Sequence, residues 1–138
     1  MARNIKYIVV HCSAGSQRAT AQDVVNYHVR TLGWTRPGYH YTIEADGTVV
    51  STWPEEQYSN GVKGHNMESL NVCYIGGVDT SKPGMPPVDN RTPAQKAALI
   101  KLLKELRARY PQAKIYGHRD FARKACPSFD ARKEYAGL

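Results

Sequence analysis

Cysteine is scarce in this chain of 138 residues: Cys12, Cys73 and Cys126 are an odd number with no C-x-x-C pair. That argues against a disulfide framework and a zinc ribbon, and makes a reducing compartment of synthesis the simpler expectation. Long hydrophobic runs are also missing. No window approaches the ~20 apolar residues of a membrane-spanning helix. Met1-Ala2-Arg3-Asn4-Ile5-Lys6 leads into an apolar run too short for a signal peptide, so cytoplasmic synthesis is expected. Internal repeats, low-complexity tracts and local zinc motifs such as H-E-x-x-H are absent as well. What is there suffices for a core. The content is 41% hydrophobic, with nine Tyr beside two Trp and two Phe, which argues for one globular domain over 1–138.

Acidic residues are few where basic ones gather. Residues 1–90 carry seven Lys/Arg and eight Asp/Glu, residues 91–138 twelve and four, so the whole excess behind the formal charge of +7 lies in the last third. An anionic partner fits such a patch, but charge alone does not choose among nucleic acid, cell-wall polymer and membrane surface.

Tyr7-Ile8-Val9-Val10-His11-Cys12 reads as a buried strand ending in a Ser13-Ala14-Gly15-Ser16 loop. The pleat puts His11 on one face with Tyr7 and Val9, and Cys12 on the other, so those two neighbours are not expected to share one ion. Thr20 caps a helix expected over 21–32, with Val25, His28 and Leu32 on one face and Gly33 as its stop. Two β-rich runs, 39–45 and 48–53, flank Asp46-Gly47, which predicts a type I′ hairpin. A third strand is expected at 71–75. Thr80 to Arg91 reads as a surface loop. Thr92-Pro93-Ala94-Gln95 is a capping box with Pro at the first helical position, and Leu99, Leu102, Leu103, Leu106 and Tyr110 continue it at helical spacing. Lys96, Lys101, Lys104, Arg107 and Arg109 fall mainly off that stripe, so much of the basic excess is a solvated helix face. A short strand at 114–116 and a final short helix complete an α/β reading: a mixed central sheet flanked by helices.

His11 after the first strand, His118 after the last and Cys126 eight residues on supply two imidazoles and a thiol, a donor set suited to zinc with a fourth position left for water. Spacing alone does not bring position 11 to position 118. The alternative is that His11 is a satisfied core histidine and Cys126 a small buried hydrophobe.

The surrounding motifs carry a resemblance. Val10-His11-Cys12-Ser13-Ala14, Gly33-Trp34, Gly38-Tyr39-His40-Tyr41 with Asp46-Gly47-Thr48-Val49, Gly76-Gly77, Thr92-Pro93-Ala94-Gln95 and Lys124-Ala125-Cys126-Pro127-Ser128-Phe129-Asp130 occur in order. Together they resemble the zinc-dependent N-acetylmuramoyl-L-alanine amidases of the bacteriophage T-seven lysozyme type, relatives of the peptidoglycan recognition proteins. The resemblance implies one zinc per chain on His11, His118 and Cys126, with Tyr39 and Lys124 catalytic beside it. Peptidoglycan is then the partner, nucleic acid is not, and a monomer is expected to reach the wall after release or export. Lysozymes of this type also restrain an RNA polymerase through a longer segment before the first metal histidine. Only ten residues precede His11 here, so that activity is not carried over.

Chemistry agrees with these roles. Amide hydrolysis needs an activated water, oxyanion stabilisation and a proton for the leaving nitrogen. Lys124 stands two residues before Cys126 and projects to the same side of an extended segment, while Tyr39 offers a phenol that stays neutral near pH 7. Trp34 either packs in the core or lines the groove, and His65 is a candidate substrate contact. His28 is read as structural, and His40 as packing or reaching solvent. Three rivals remain: a peptidoglycan-binding module without hydrolysis, a thiol hydrolase using Cys126 as nucleophile, and a basic nucleic-acid-binding domain, which has only charge in its favour.

Overall fold

A computed structural model describes residues 3–138. Its centre is a five-stranded mixed sheet in the order β3-β2-β4-β1-β5. The strands are β1 (Tyr7–Cys12), β2 (Tyr41–Ile43), β3 (Val49–Ser51), β4 (Ser69–Tyr74) and β5 (Lys114–Gly117). β1 runs parallel to both β4 and β5, β2 parallel to β4, and only the β2/β3 hairpin is antiparallel. The α/β expectation holds, and the pairing of β1 with β5 answers the question that spacing left open: position 11 lies one strand away from position 118. Among the described residues, no helix is long and apolar enough to cross a membrane.

The pleat gives the two faces of the sheet different work. Ile8, Val10 and Cys12 of β1, Leu70, Val72 and Tyr74 of β4, Ile43 of β2 and Ile115 of β5 form one cluster with Leu99, Leu102, Leu103 and Leu106. Those leucines belong to α2 (Pro93–Arg109), which the Thr92 capping box starts as expected: Thr92 Oγ1 accepts from Gln95 N–H while the Gln95 side chain accepts from Thr92 N–H. Each buried leucine contributes roughly 1.5–3 kcal/mol. Gln95 is itself buried, and its Nε2 donates to the carbonyls of Ile43 and Ile75, which pins the helix start to the ends of β2 and β4. Lys96, Lys101, Lys104 and Arg109 lie exposed on the outer side, as the stripe predicted.

Two expectations change in detail. The hairpin stands where Asp46-Gly47 placed it, but its turn is not type I′, because Gly47 (φ +90) has a positive φ and Asp46 does not. Gly47 N–H donates to Glu44 O and Glu44 N–H to Thr48 O, the pattern of a type I turn closed by a glycine bulge. The first helix, α1 (Ala21–Asn26), keeps its Thr20 capping box but passes into a π-turn at Tyr27–Thr31. The inward face is Ala21, Val24 and His28, and Leu32 is 43% exposed, in place of the expected face of Val25, His28 and Leu32. π-Turns of this kind concentrate at functional sites.

After β5 a single 3-10 turn (His118–Asp120) leads into an irregular stretch that ends at α3 (Ala131–Glu134), which packs on β5. Arg91, at the end of the long loop, fastens it. Its guanidinium is buried, bonds Asp89, Glu134 and the Tyr135 hydroxyl, and lies 3.4 Å over the Phe129 ring.

Candidate metal centre

The face of the sheet away from α2 carries Val9 and His11 on β1 with Asn71 and Cys73 on β4. His11 is the penultimate residue of β1, and His118 directly follows β5. Because the two strands are parallel neighbours, both imidazoles emerge at the same edge, with ring centroids 4.8 Å apart. The turn at 124–128 returns Cys126 over the end of β1, where its Sγ accepts from Cys12 N–H at 3.2 Å. The ligand atoms of His11, His118 and Cys126 all lie within 4.8 Å of one another. The structure thus gathers the three residues that the sequence named, and leaves out Cys12, whose side chain faces the core.

Burial, with His118 second, lowers the His11 pKa to about 3, and burial with nearby Lys124 lowers that of His118. Both rings are therefore neutral near pH 7, the form that offers a lone pair. Contact with Cys12, then burial, pushes the Cys126 thiol up. A divalent cation reverses that preference, since coordination deprotonates a thiol. Two neutral imidazoles and a thiol at this separation suit a three-ligand site with an open position.

Tyr39 stands beside the cluster, its ring centroid 4.9 Å from His11 and 5.2 Å from His28. Burial drives its phenol well above the usual tyrosine range, so it remains a proton donor. Lys124 is exposed and lines the same groove as Tyr39, His11, His118 and Cys126. The groove encloses about 450 Å³, and shares Trp34, Asn60, Gly61, His118 and Lys124 with a hollow of about 680 Å³ that adds Lys63 and Phe121.

Trp34 lies outside the core cluster: half-buried, it stacks on His28 at 4.6 Å and lines both hollows. His28 is more than packing, since its Nδ1 accepts from Gly38 N–H next to Tyr39 and its ring forms part of the wall. His65 is placed elsewhere. It packs against Tyr7 and Phe121, outside the residues lining either hollow. His40 is fully buried, with Nε2–H donating to Gln57 O and Nδ1 accepting from Asn71 N–H. Sequence reasoning missed Asn71, whose Oδ1 lies 2.7 Å from His11 Nε2. The available signal was a lone carboxamide in the otherwise apolar strand around Leu70, Val72 and Cys73.

Two imidazoles at the ends of parallel strands and a thiol from the turn beside them, facing an open groove, form a candidate metal site on an α/β domain. The chain belongs to the family described as N-acetylmuramoyl-L-alanine amidase (Amidase_2), whose model matches residues 1–129. It is accordingly an enzyme of peptidoglycan hydrolysis. An endolysin of Enterobacteria phage K11 is 41% identical over 126 residues, covering 90% of this chain and 81% of the relative. The Ph2119 endolysin from a Thermus scotoductus bacteriophage has the same fold, with a TM-score of 0.78 at 29% identity over 92% of this chain and 79% of that one. An N-acetylmuramoyl-L-alanine amidase from Clostridium intestinale gives a TM-score of 0.81 at 26% identity, over 96% and 83%.

Proposed function

We propose that the chain holds one zinc ion on His11, His118 and Cys126, and with it hydrolyses the amide between the muramoyl lactyl group and L-alanine. The observation that carries this reading is the convergence of those three side chains, the two imidazoles already neutral, on the groove of a chain that belongs to the amidase family. When bound, zinc supplies a Lewis acid that polarises the scissile carbonyl and activates water. The residues around it do the rest.

Tyr39 keeps its proton because burial disfavours the phenolate. Its hydroxyl, directed toward the Cys12 carbonyl at 3.5 Å, is free to turn to a substrate oxygen or to the departing nitrogen. Lys124 brings a positive charge to the groove wall, where an oxyanion develops during attack. The neutral imidazoles and the Cys12 N–H aimed at Cys126 Sγ hold the ligands in place before any metal arrives. Trp34 and the exposed Tyr27 and Leu32 give the groove an apolar lip.

Mass spectrometry of digested cell wall tests the proposal: new free amines on L-alanine and free lactyl carboxylates are expected, with about one zinc per chain by elemental analysis. Cleavage at another bond would overturn the bond assignment. Full activity without zinc, or in Cys126→Ala, would overturn the metal assignment, whereas loss of activity in Cys126→Ala with no zinc in the wild type points to the thiol hydrolase.

A further inference from the structure

The hydrogens that fix the orientation of Asn71 behind His11 can be placed by elimination. His40 Nδ1 receives Asn71 N–H at 3.0 Å and so is the lone pair, which leaves the hydrogen on Nε2, 2.8 Å from the Gln57 carbonyl, with Arg3 Nη1 at the longer distance of 3.4 Å. Ser59 Oγ has three neighbours: Gly38 O at 2.9 Å, His40 Nδ1 at 3.3 Å and Asn71 Nδ2 at 2.8 Å. The first two are acceptors. The single hydroxyl hydrogen goes to one of them, and Ser59 must accept from Asn71. The carboxamide is therefore fixed with Nδ2 toward Ser59 and Oδ1 toward His11. His11 Nε2, 2.7 Å from that oxygen, must be a donor.

We infer that Asn71, locked by Ser59 and His40, is a positioning residue that holds His11 in its Nε2–H tautomer and so presents the Nδ1 lone pair to the metal before the metal binds. The inference rests on reading His11 as a metal ligand. Outer partners of this kind orient metal-bound imidazoles and raise their basicity. All four residues, His11, His40, Ser59 and Asn71, are buried, so water does not compete for these bonds.

Packing makes the arrangement specific to Asn71. A Cβ added at Gly61 would lie 2.4 Å from Asn71 Cγ, so the groove segment at Asn60 and Gly61 closes directly on the carboxamide. Gly38 O and its neighbour Tyr39 sit at the other end of the network. One carboxamide thereby links a metal ligand, a groove wall and the strand entry that bears the phenol.

Long-range ¹H–¹⁵N spectra of the metal-free wild-type protein read the tautomer directly: protonated Nε2 on His11 is expected, and a protonated Nδ1 would overturn the inference. Zinc affinity, by competition with a chromophoric chelator, is expected to fall ~10–100-fold in Asn71→Ala and to return to within about threefold of wild type in Asn71→Asp, which keeps the acceptor. Wild-type zinc affinity in a folded Asn71→Ala would equally overturn it, and the spectrum decides the matter should that variant not fold. A wild-type chain that takes up no zinc would refute the metal reading instead, while the tautomer signal still tests the network.

Discussion

Replacing Arg91 with methionine removes the charge that fastens the chain after β5 while keeping an apolar stem over Phe129. The Arg91 side chain is 2% exposed and donates to Asp89 at 2.8 Å, Glu134 at 2.7 Å and the Tyr135 hydroxyl at 2.7 Å. Breaking a buried ion pair typically costs ~3–5 kcal/mol. Here Asp89 and Glu134 keep 31% and 45% exposure, so water recovers part of that, and methionine retains the contact with the ring. A loss of about 2–3 kcal/mol remains, or a Tm lower by roughly 6–12 °C for a domain of this size. The loss should depend on pH. Hydrogen bonds from Arg91 hold the Asp89 and Glu134 carboxyls below their usual range. Stability from depressed carboxyl pKa values is present above the unfolded values, near 4, and is lost as pH falls through the folded ones. The gap between wild type and Arg91→Met, followed by circular dichroism melts, should therefore narrow between about pH 4 and pH 2. A Tm change under about 2 °C at pH 7, or a gap that widens in acid, would refute the reasoning.

Removing a proposed metal ligand should act differently from disturbing this anchor. His118→Ala is expected to abolish zinc uptake and wall lysis while the Tm of the metal-free protein changes little, as paired elemental analysis and turbidity assays would show. Tyr39→Phe should retain zinc and lower kcat by ~10²–10⁴, and an unchanged kcat would remove the phenol from the chemistry. Leu103→Ala, in the buried face of α2, should cost about 2–5 kcal/mol in urea unfolding without altering zinc stoichiometry. Gly47→Ala forces a side chain onto a φ of +90 with its Cβ 3.0 Å from both Ala94 Cβ and Ala94 O, and should lower the Tm although it lies far from the groove.

Local chemistry made part of this molecule readable. The Thr92 box and the leucine spacing state α2 almost to the residue, since both are set within one turn of chain. The hairpin turn was misread because Asp-Gly serves two turn types, and the choice between them lies in Asp46 keeping a negative φ beside the bulge. The π-turn left no periodic mark: it occurs where His28 reaches across to Gly38 N–H, a contact made by the fold and not by neighbours in sequence. For the site, the ordered motifs identified His11, His118 and Cys126, while the pairing of β1 with β5 that unites them is a contact across more than a hundred residues. Asn71 was illegible for a similar reason. Its role depends on Ser59 and His40, which arrive from two other segments.

The alternation along β1 and β4 has an evolutionary consequence. Ile8, Val10, Leu70 and Val72 answer to the leucines of α2, whereas Val9, His11, Asn71 and Cys73 point to the opposite side, where His11 lines the groove. Selection for heat resistance and selection for a new substrate would thus draw on interleaved but separate sets of positions in the same strands. A variant library built on Ile8, Val10, Leu70 and Val72 would tune stability while leaving His11 and Asn71 in place.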